Sequence, residues 1–176
     1  MAMRIGQRIG IAIFAVNLSA GVMMLCGCNG HMYPYRVAGK SMVPLLGEND
    51  LVLVDESENA RSELHDGDVI VFRHKDAVVV KRIIAMQGET VNGDQRKVFR
   101  DGKQIDEPYL APVEAGQFGI LTTFPPHKLA AGELFVLGDN RDLSADSRLD
   151  EYGPVHTSDV LGKYKWTYWH AKASAK

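Results

Sequence analysis

Residues 68–86 read DVIVFRHKDAVVVKRIIAM, a stretch dominated by two short runs of β-branched and other apolar residues. Runs of this kind recur along the chain without helical spacing, and Gly, Asp or Pro bounds them. The pattern predicts an all-β fold, an antiparallel barrel that is closed or partly closed. The predicted strands are 50–55, 68–73, 77–86, 89–92, 97–100, 103–105, 133–137 and 160–169.

The region 97–131 is predicted to form a small, irregular β cap on this barrel. Asp101-Gly102 lies between two predicted strands and is a strong signal for a two-residue hairpin turn. Segment 106–131 contains residues that interrupt any long element, namely Pro108, Pro112, Gly116, Gly119, Pro125 and Pro126. Beyond the N-terminal segment, no stretch predicts an amphipathic helix.

The composition limits the functions to consider. The 176 residues are enough for one domain with a substantial core. The formal net charge is -2 and the basic residues form no run that could neutralise a phosphate backbone, so nucleic acid is not an expected partner. Both cysteines, Cys26 and Cys28, lie in the N-terminal apolar stretch. No disulfide framework, Cys-based metal site or cofactor is therefore expected.

The N-terminal segment predicts a membrane anchor. Arg4 and Arg8 precede the uncharged residues 9–28, which match the roughly 20 residues that a helix needs to cross a hydrocarbon core. The basic residues place the N-terminus, residues 1–8, in the cytoplasm. Residues 29–36 would then link the anchor to a domain at 37–176 on the other side of the membrane.

Two alternatives to a retained anchor stay open. The apolar segment could be a cleaved secretory signal, although no Ala-x-Ala cleavage site follows it. Residues Leu25-Cys26-Gly27-Cys28 also resemble a bacterial lipobox, in which Cys28 would be lipidated, with an atypical Cys at the second position. A helix or a lipid would equally keep the domain at the membrane surface.

Ser41 is a candidate nucleophile. It follows Gly39-Lys40 on a turn, where backbone N–H groups could stabilise an oxyanion. None of the six histidines lies in a recognisable catalytic-triad signature, so the base must be of another type. Lys81 fits that requirement, since apolar neighbours would desolvate its amine and depress its pKa. The alternative is a strand in which Lys81 and Arg82 extend to solvent.

Three blocks of sequence, read together, decide between these interpretations. They are Ala38–Leu45 with Ser41-Met42-Val43-Pro44, Val80-Lys81-Arg82-Ile83-Ile84, and the block from Gly138-Asp139-Asn140-Arg141 to Arg148. In their order along the chain and in their residues they resemble the conserved boxes of type I signal peptidases, over roughly residues 37–168 apart from the cap. The resemblance implies an antiparallel β-barrel-like catalytic domain of that type, preceded by one transmembrane helix.

The resemblance also implies a role for each matching residue. Ser41 would attack the scissile carbonyl, and Lys81 would accept its proton and later deliver one to the leaving amine. The hydroxyl of Ser144 would orient the Lys81 amine. The remaining matches are structural ion-pair residues: Arg82, Asp139, Asp146 and Arg148.

Three departures from the family pattern are visible. Gly39 stands where some members carry a serine hydroxyl, so the backbone N–H of Ser41 is expected to provide most of the oxyanion hole. One residue is also missing from the first box, where Thr usually follows Pro44. Between Arg148 and Gly153 the chain is longer than usual, which predicts an enlarged surface turn.

The implied reaction is removal of signal peptides from exported pre-proteins at the outer, extracytoplasmic face of the bacterial cytoplasmic membrane. The substrate would bind as an added strand, with small side chains in two shallow pockets. Ser41 lies at most about 45 Å of extended chain beyond Cys28, so Met42 and Val43 are expected to rest on membrane lipid.

Other functions fit the sequence less well or remain as alternatives. A phosphate-binding loop would need Gly where Pro34 stands, and an EF-hand would need Gly and Glu where Ser147 and Gly153 stand. A self-cleaving repressor-type protease does not account for the anchor. Maturation of one dedicated substrate, such as a conjugative pilin, and a catalytically silent peptide-binding β-domain remain as alternatives. The aromatic residues Tyr164, Trp166, Tyr168 and Trp169 predict strand packing or a membrane-interface patch.

Overall fold

A computed structural model of the protein describes residues 31–110 and 123–171. The predicted anchor at 9–28, Cys28 and residues 111–122 of the predicted cap lie outside these residues. Within the described ranges, no helix has the length and apolar character needed to cross a membrane.

The described chain is mostly β-structure. Its strands are β1 (Met32–Arg36), β2 (Leu51–Asp55), β3 (Val69–His74), β4 (Ala77–Met86), β5 (Thr90–Asp94), β6 (Lys97–Arg100), β7 (Lys103–Gln104), β8 (Phe124–Lys128), β9 (Glu133–Leu137), β10 (Val155–His156) and β11 (Val160–Trp169). The one α-helix among the described residues, α1 (Glu58–Ser62), begins where the Ser57 hydroxyl accepts from the N–H of Ala60. A 3₁₀ turn at Thr157–Asp159 precedes β11.

Seven strands form the larger sheet, in the order β1-β2-β11-β3-β4-β9-β10, and all neighbours are antiparallel. Strands β3 and β4 pair from Val69–Arg82 to His74–Ala77, so the stretch that predicted the β fold forms a central hairpin of this sheet. Strands β1 and β10 stand at the two edges, and no pairing joins them among the described residues. This sheet is therefore open, and the fully closed form of the predicted barrel is wrong.

The smaller sheet has the order β7-β6-β5-β8. The Asp101-Gly102 turn, with both residues at positive φ, joins β6 to β7 as predicted. Strand β8 was not predicted, because its two prolines indicated irregular chain. They are tolerated since β8 is an edge strand and its register with β5 shifts between Val91 and Gly93.

The segment 29–36, predicted as a link, contains β1 as far as it is described. Its Tyr35 is 3% exposed and packs with Val52 and Val54 of β2. The extra turn after Arg148 is only partly a surface feature, because Tyr152 is buried and stacks on His74 with 3.9 Å between ring centroids.

Three apolar clusters fill the interior. One joins β1 and β2 to the turn that carries Met42 and Leu46, and a second packs β3 and β4 against β9 and β10. The third lies between the two sheets, where Val91 and Phe124 meet Phe135 and Leu137. Strand β4 contributes to all three clusters through Val80, Ile83 and Ile84, so its position is fixed from several sides.

Candidate active site

Ser41 and Lys81 meet although 40 residues separate them in the chain. Ser41 lies in the turn that follows β1, and Lys81 lies in the middle of β4. Lys81 Nζ donates to Ser41 Oγ at 2.8 Å and to the carbonyl oxygen of Val80 at 3.0 Å. The two side chains are therefore close enough for direct proton transfer.

Burial changes the acid–base properties of Lys81. The residue is 0% exposed, and this desolvation lowers the pKa of its amine from 10.5 to about 8. The carboxylates of Asp146 and Asp139 oppose the shift, whereas the cationic Arg148 adds to it. With a pKa of about 8, roughly one amine in ten is neutral at pH 7 and able to accept a proton.

The turn that presents Ser41 is set by its backbone. Gly39 has φ +89°, a left-handed conformation that glycine adopts without steric cost. The N–H of Val43 donates to the carbonyl of Lys40, and that of Leu46 donates to Met42. The Met42 side chain is 0% exposed and packs in the core, so the expectation that it rests on lipid is wrong. Val43 is half-buried.

The loop after β9 contacts the turn that carries Ser41 directly. The N–H of Asn140 donates to the carbonyl oxygen of Ser41 at 2.9 Å. Gly138 lies so close that an added Cβ would clash with the Ser41 carbonyl oxygen and with Ser144 Oγ. The hydroxyl of Ser144 is buried and has no hydrogen-bond partner among the residues that the structure describes, so the predicted bond to Lys81 is not formed in this structure.

The two predicted ion pairs brace this loop. Arg82 forms a bidentate pair with Asp139, with N–O distances of 2.8 and 2.7 Å. Asp146 accepts from Arg148 at 2.7 and 2.9 Å, and its carboxylate also accepts from the N–H of Gly138 at 3.0 Å. Both carboxylates are almost fully buried, at 1% and 0% side-chain exposure.

Three further residues at the site were not predicted. Tyr109 lies under the guanidinium of Arg82, Glu107 binds Tyr109, and Arg141 binds Glu107. Arg141 lies inside the third sequence block, which was a usable signal. Glu107 and Tyr109 lie in the proline-rich segment, where neither periodicity nor a motif marks them.

The aromatic residues at the end of the chain differ in their exposure. Trp166, Tyr168 and Trp169 are each about half exposed near the end of β11, whereas Tyr164 packs against the core.

The residues that the structure describes contain no group of three or more His, Cys, Asp and Glu side chains placed to hold a metal ion.

Comparison with known proteins identifies the family of this chain. Residues 8–169 match the family model described as signal peptidase, peptidase S26. Signal peptidase I of Bacillus amyloliquefaciens is 37% identical over 141 residues, which are 77% of this chain and 72% of the relative. Signal peptidase I V of Bacillus subtilis (strain 168) is 31% identical over 158 residues, 85% of this chain and 93% of the relative.

A crystal structure of signal peptidase I from Enterococcus faecalis superposes with a TM-score of 0.46 at 30% identity, over 57% of this chain and 95% of that chain. The family model and the relatives, by contrast, each span most of the present sequence. The chain is thus a peptidase that belongs to the signal peptidase family, peptidase S26.

Proposed function

We propose that this protein is a serine endopeptidase that removes N-terminal signal peptides from exported pre-proteins, with Ser41 as nucleophile and Lys81 as general base. The observation that carries the proposal is the 2.8 Å contact between a buried hydroxyl and a buried amine whose pKa is lowered to about 8. Desolvation of this kind depresses the pKa of a lysine amine enough for it to serve as a base near neutral pH.

The reaction follows from the contact. Lys81 Nζ takes the proton of Ser41 Oγ as that oxygen attacks the scissile carbonyl carbon, which forms a tetrahedral oxyanion. Collapse of the oxyanion breaks the peptide C–N bond, and protonated Lys81 gives its proton to the leaving amine. Lys81 then takes a proton from a water molecule as that water attacks the acyl-enzyme ester, and the proton passes from Lys81 to Ser41 Oγ as the ester C–O bond breaks.

Neighbouring groups have supporting roles in this proposal. The positive φ of Gly39 shapes the turn so that the backbone N–H of Ser41 stabilises the oxyanion. The unpaired, buried hydroxyl of Ser144 is available to orient the Lys81 amine once that amine leaves Ser41 Oγ. The Arg82–Asp139 and Asp146–Arg148 pairs hold the surrounding loop.

The proposed substrate is a precursor held at the membrane. Residues 9–28 are uncharged and long enough to anchor the chain, with the catalytic domain at the extracytoplasmic face. Strand β1 stands at the edge of the larger sheet and leads into the Ser41 turn. An extended precursor segment added at a sheet edge would therefore reach the nucleophile.

The test uses purified full-length protein in detergent and a precursor with an Ala-x-Ala cleavage site. Ser41→Ala and Lys81→Ala are each expected to abolish cleavage, whereas Ser62→Ala and Lys103→Ala, which change exposed residues of the same types, should cleave like wild type. Wild-type cleavage by either dyad variant would refute the assignment. Failure of the wild-type protein to cleave would favour a silent peptide-binding domain.

A further inference from the structure

A buried polar cluster beside the dyad has no role in the proposed reaction. It is built on the segment that follows β7. The ring of Tyr109 lies 4.0 Å from the guanidinium carbon of Arg82, and the Tyr109 hydroxyl donates to Glu107 at 2.7 Å. Burial and the adjacent carboxylate raise the pKa of Tyr109, so the phenol keeps the proton that it donates.

Glu107 connects this tyrosine to a second arginine. Its carboxylate pairs with the guanidinium of Arg141, and the two side chains are only 8% and 9% exposed. The Nε–H of Arg141 donates to the carbonyl oxygen of Gly138 at 3.0 Å. The Glu107 carboxylate therefore links two places at the site. Through Tyr109 it reaches Arg82, the residue after Lys81, and through Arg141 it reaches Gly138, which packs on the Ser41 backbone.

The contacts around Gly138 leave little freedom. Its N–H donates to Asp146, and its carbonyl oxygen accepts from Arg141. Two residues later, the N–H of Asn140 donates to the carbonyl oxygen of Ser41. A shift of Arg141 would move Gly138 against Ser41. Because proton transfer depends on the spacing of donor and acceptor, such a shift would slow the reaction more than it would weaken substrate binding.

We propose that Glu107 is a positioning residue of the catalytic centre: through Arg141 it fixes Gly138 against Ser41, and through Tyr109 it fixes Arg82 beside Lys81. The inference rests on the proposed peptidase function. The segment that follows β7 would then support the positions of both Ser41 and Lys81.

The experiment compares kcat and KM of full-length variants for one precursor, at a temperature where circular dichroism shows every variant folded. Glu107→Gln preserves the shape of the side chain and removes its charge, and Tyr109→Phe removes one hydroxyl. Asp142→Asn is the matched control. It breaks the Arg96–Asp142 ion pair, which also ties the smaller sheet to this loop but is separate from the Glu107–Arg141 and Tyr109–Arg82 contacts.

Glu107→Gln is expected to lower kcat about tenfold or more with KM within threefold of wild type, and Tyr109→Phe to lower kcat two- to fivefold. Glu107→Asp, which restores a carboxylate, should recover part of the loss, and Asp142→Asn should retain wild-type kcat. The double variant Glu107→Gln/Tyr109→Phe should be no slower than Glu107→Gln alone, because both act through one carboxylate.

The inference is overturned if Glu107→Gln retains kcat within twofold, if its loss lies in KM alone, or if Asp142→Asn loses as much. Should Glu107→Gln not fold, unchanged kcat in folded Tyr109→Phe would overturn it equally. Ser41→Ala, assayed in parallel, separates the two proposals. If Ser41→Ala cleaves like wild type the peptidase assignment fails, whereas if it is inactive and Glu107→Gln is fully active only the positioning role fails.

Discussion

The backbone N–H of Asn140 donates to the carbonyl oxygen of Ser41 at 2.9 Å, so the loop after β9 is bonded directly to the turn that carries Ser41. About 100 residues of chain separate these two groups, and neither of them lies in a strand. The loop that contains Asp139, Ser144 and Asp146 therefore sets the position of Ser41 as well as the field around Lys81.

The dependence of activity on pH should follow Lys81. If its neutral amine is the base, kcat/KM should rise about tenfold per pH unit below pH 8 and level off above an apparent pKa of about 8. A pH–rate profile of precursor cleavage measures this pKa. A plateau that already begins near pH 6, or an increase that continues to pH 10, would contradict the assignment.

Lys81→Met should make the fold more stable at neutral pH. Below about pH 8 the folded protein must hold a buried ammonium, at a cost on the order of 3 kcal/mol, because the pKa falls from 10.5 in the unfolded chain to about 8. As pH rises from 8 to 10.5 the folded state loses its proton first, so wild type should approach the variant. Urea unfolding at pH 7 and pH 10 measures the difference in the free energy of unfolding between the variant and wild type. An equal difference at both pH values would refute the explanation.

Asp146→Ala should destabilise the fold strongly. It would leave the guanidinium of Arg148 and the N–H of Gly138 buried without this carboxylate. Loss of one partner of a buried ion pair costs about 3–5 kcal/mol. Asp150→Ala, at an exposed position four residues later, should change the free energy of unfolding by less than about 0.5 kcal/mol. Similar values for both variants in urea titrations would show that Asp146 is not a structural anchor.

Ser144→Ala should separate stability from activity. The wild-type hydroxyl is buried without a partner in the described part of the chain, so its removal should leave the free energy of unfolding unchanged or raise it by about 1 kcal/mol. If the hydroxyl orients Lys81 during the reaction, kcat should nevertheless fall about tenfold or more. Undiminished kcat would remove Ser144 from the proposed mechanism. Ser147 is the control: it is also buried, but its hydroxyl accepts from the Val136 N–H, so Ser147→Ala should lower the free energy of unfolding.

Much of the fold was predictable because short, isolated β-forming runs leave few alternatives. The stretch 68–86 became the β3–β4 hairpin, and Asp101-Gly102 became the turn between β6 and β7. Strand β1 was not predicted, since Pro34 and polar neighbours weaken its pattern, and β8 was hidden by Pro125 and Pro126. Both are edge strands, where missing or weak hydrogen bonding is tolerated.

By itself the sequence determined the family, the mostly β architecture and the candidate pair Ser41 and Lys81, because these depend on residue types and their order. Tertiary structure alone decided that Lys81 is buried against Ser41 rather than extended to solvent. It also decided that Met42 is core, that Ser144 is unpaired, and that Glu107 joins the site. Desolvation and hydrogen bonding depend on which segments meet in space, and sequence spacing does not report that.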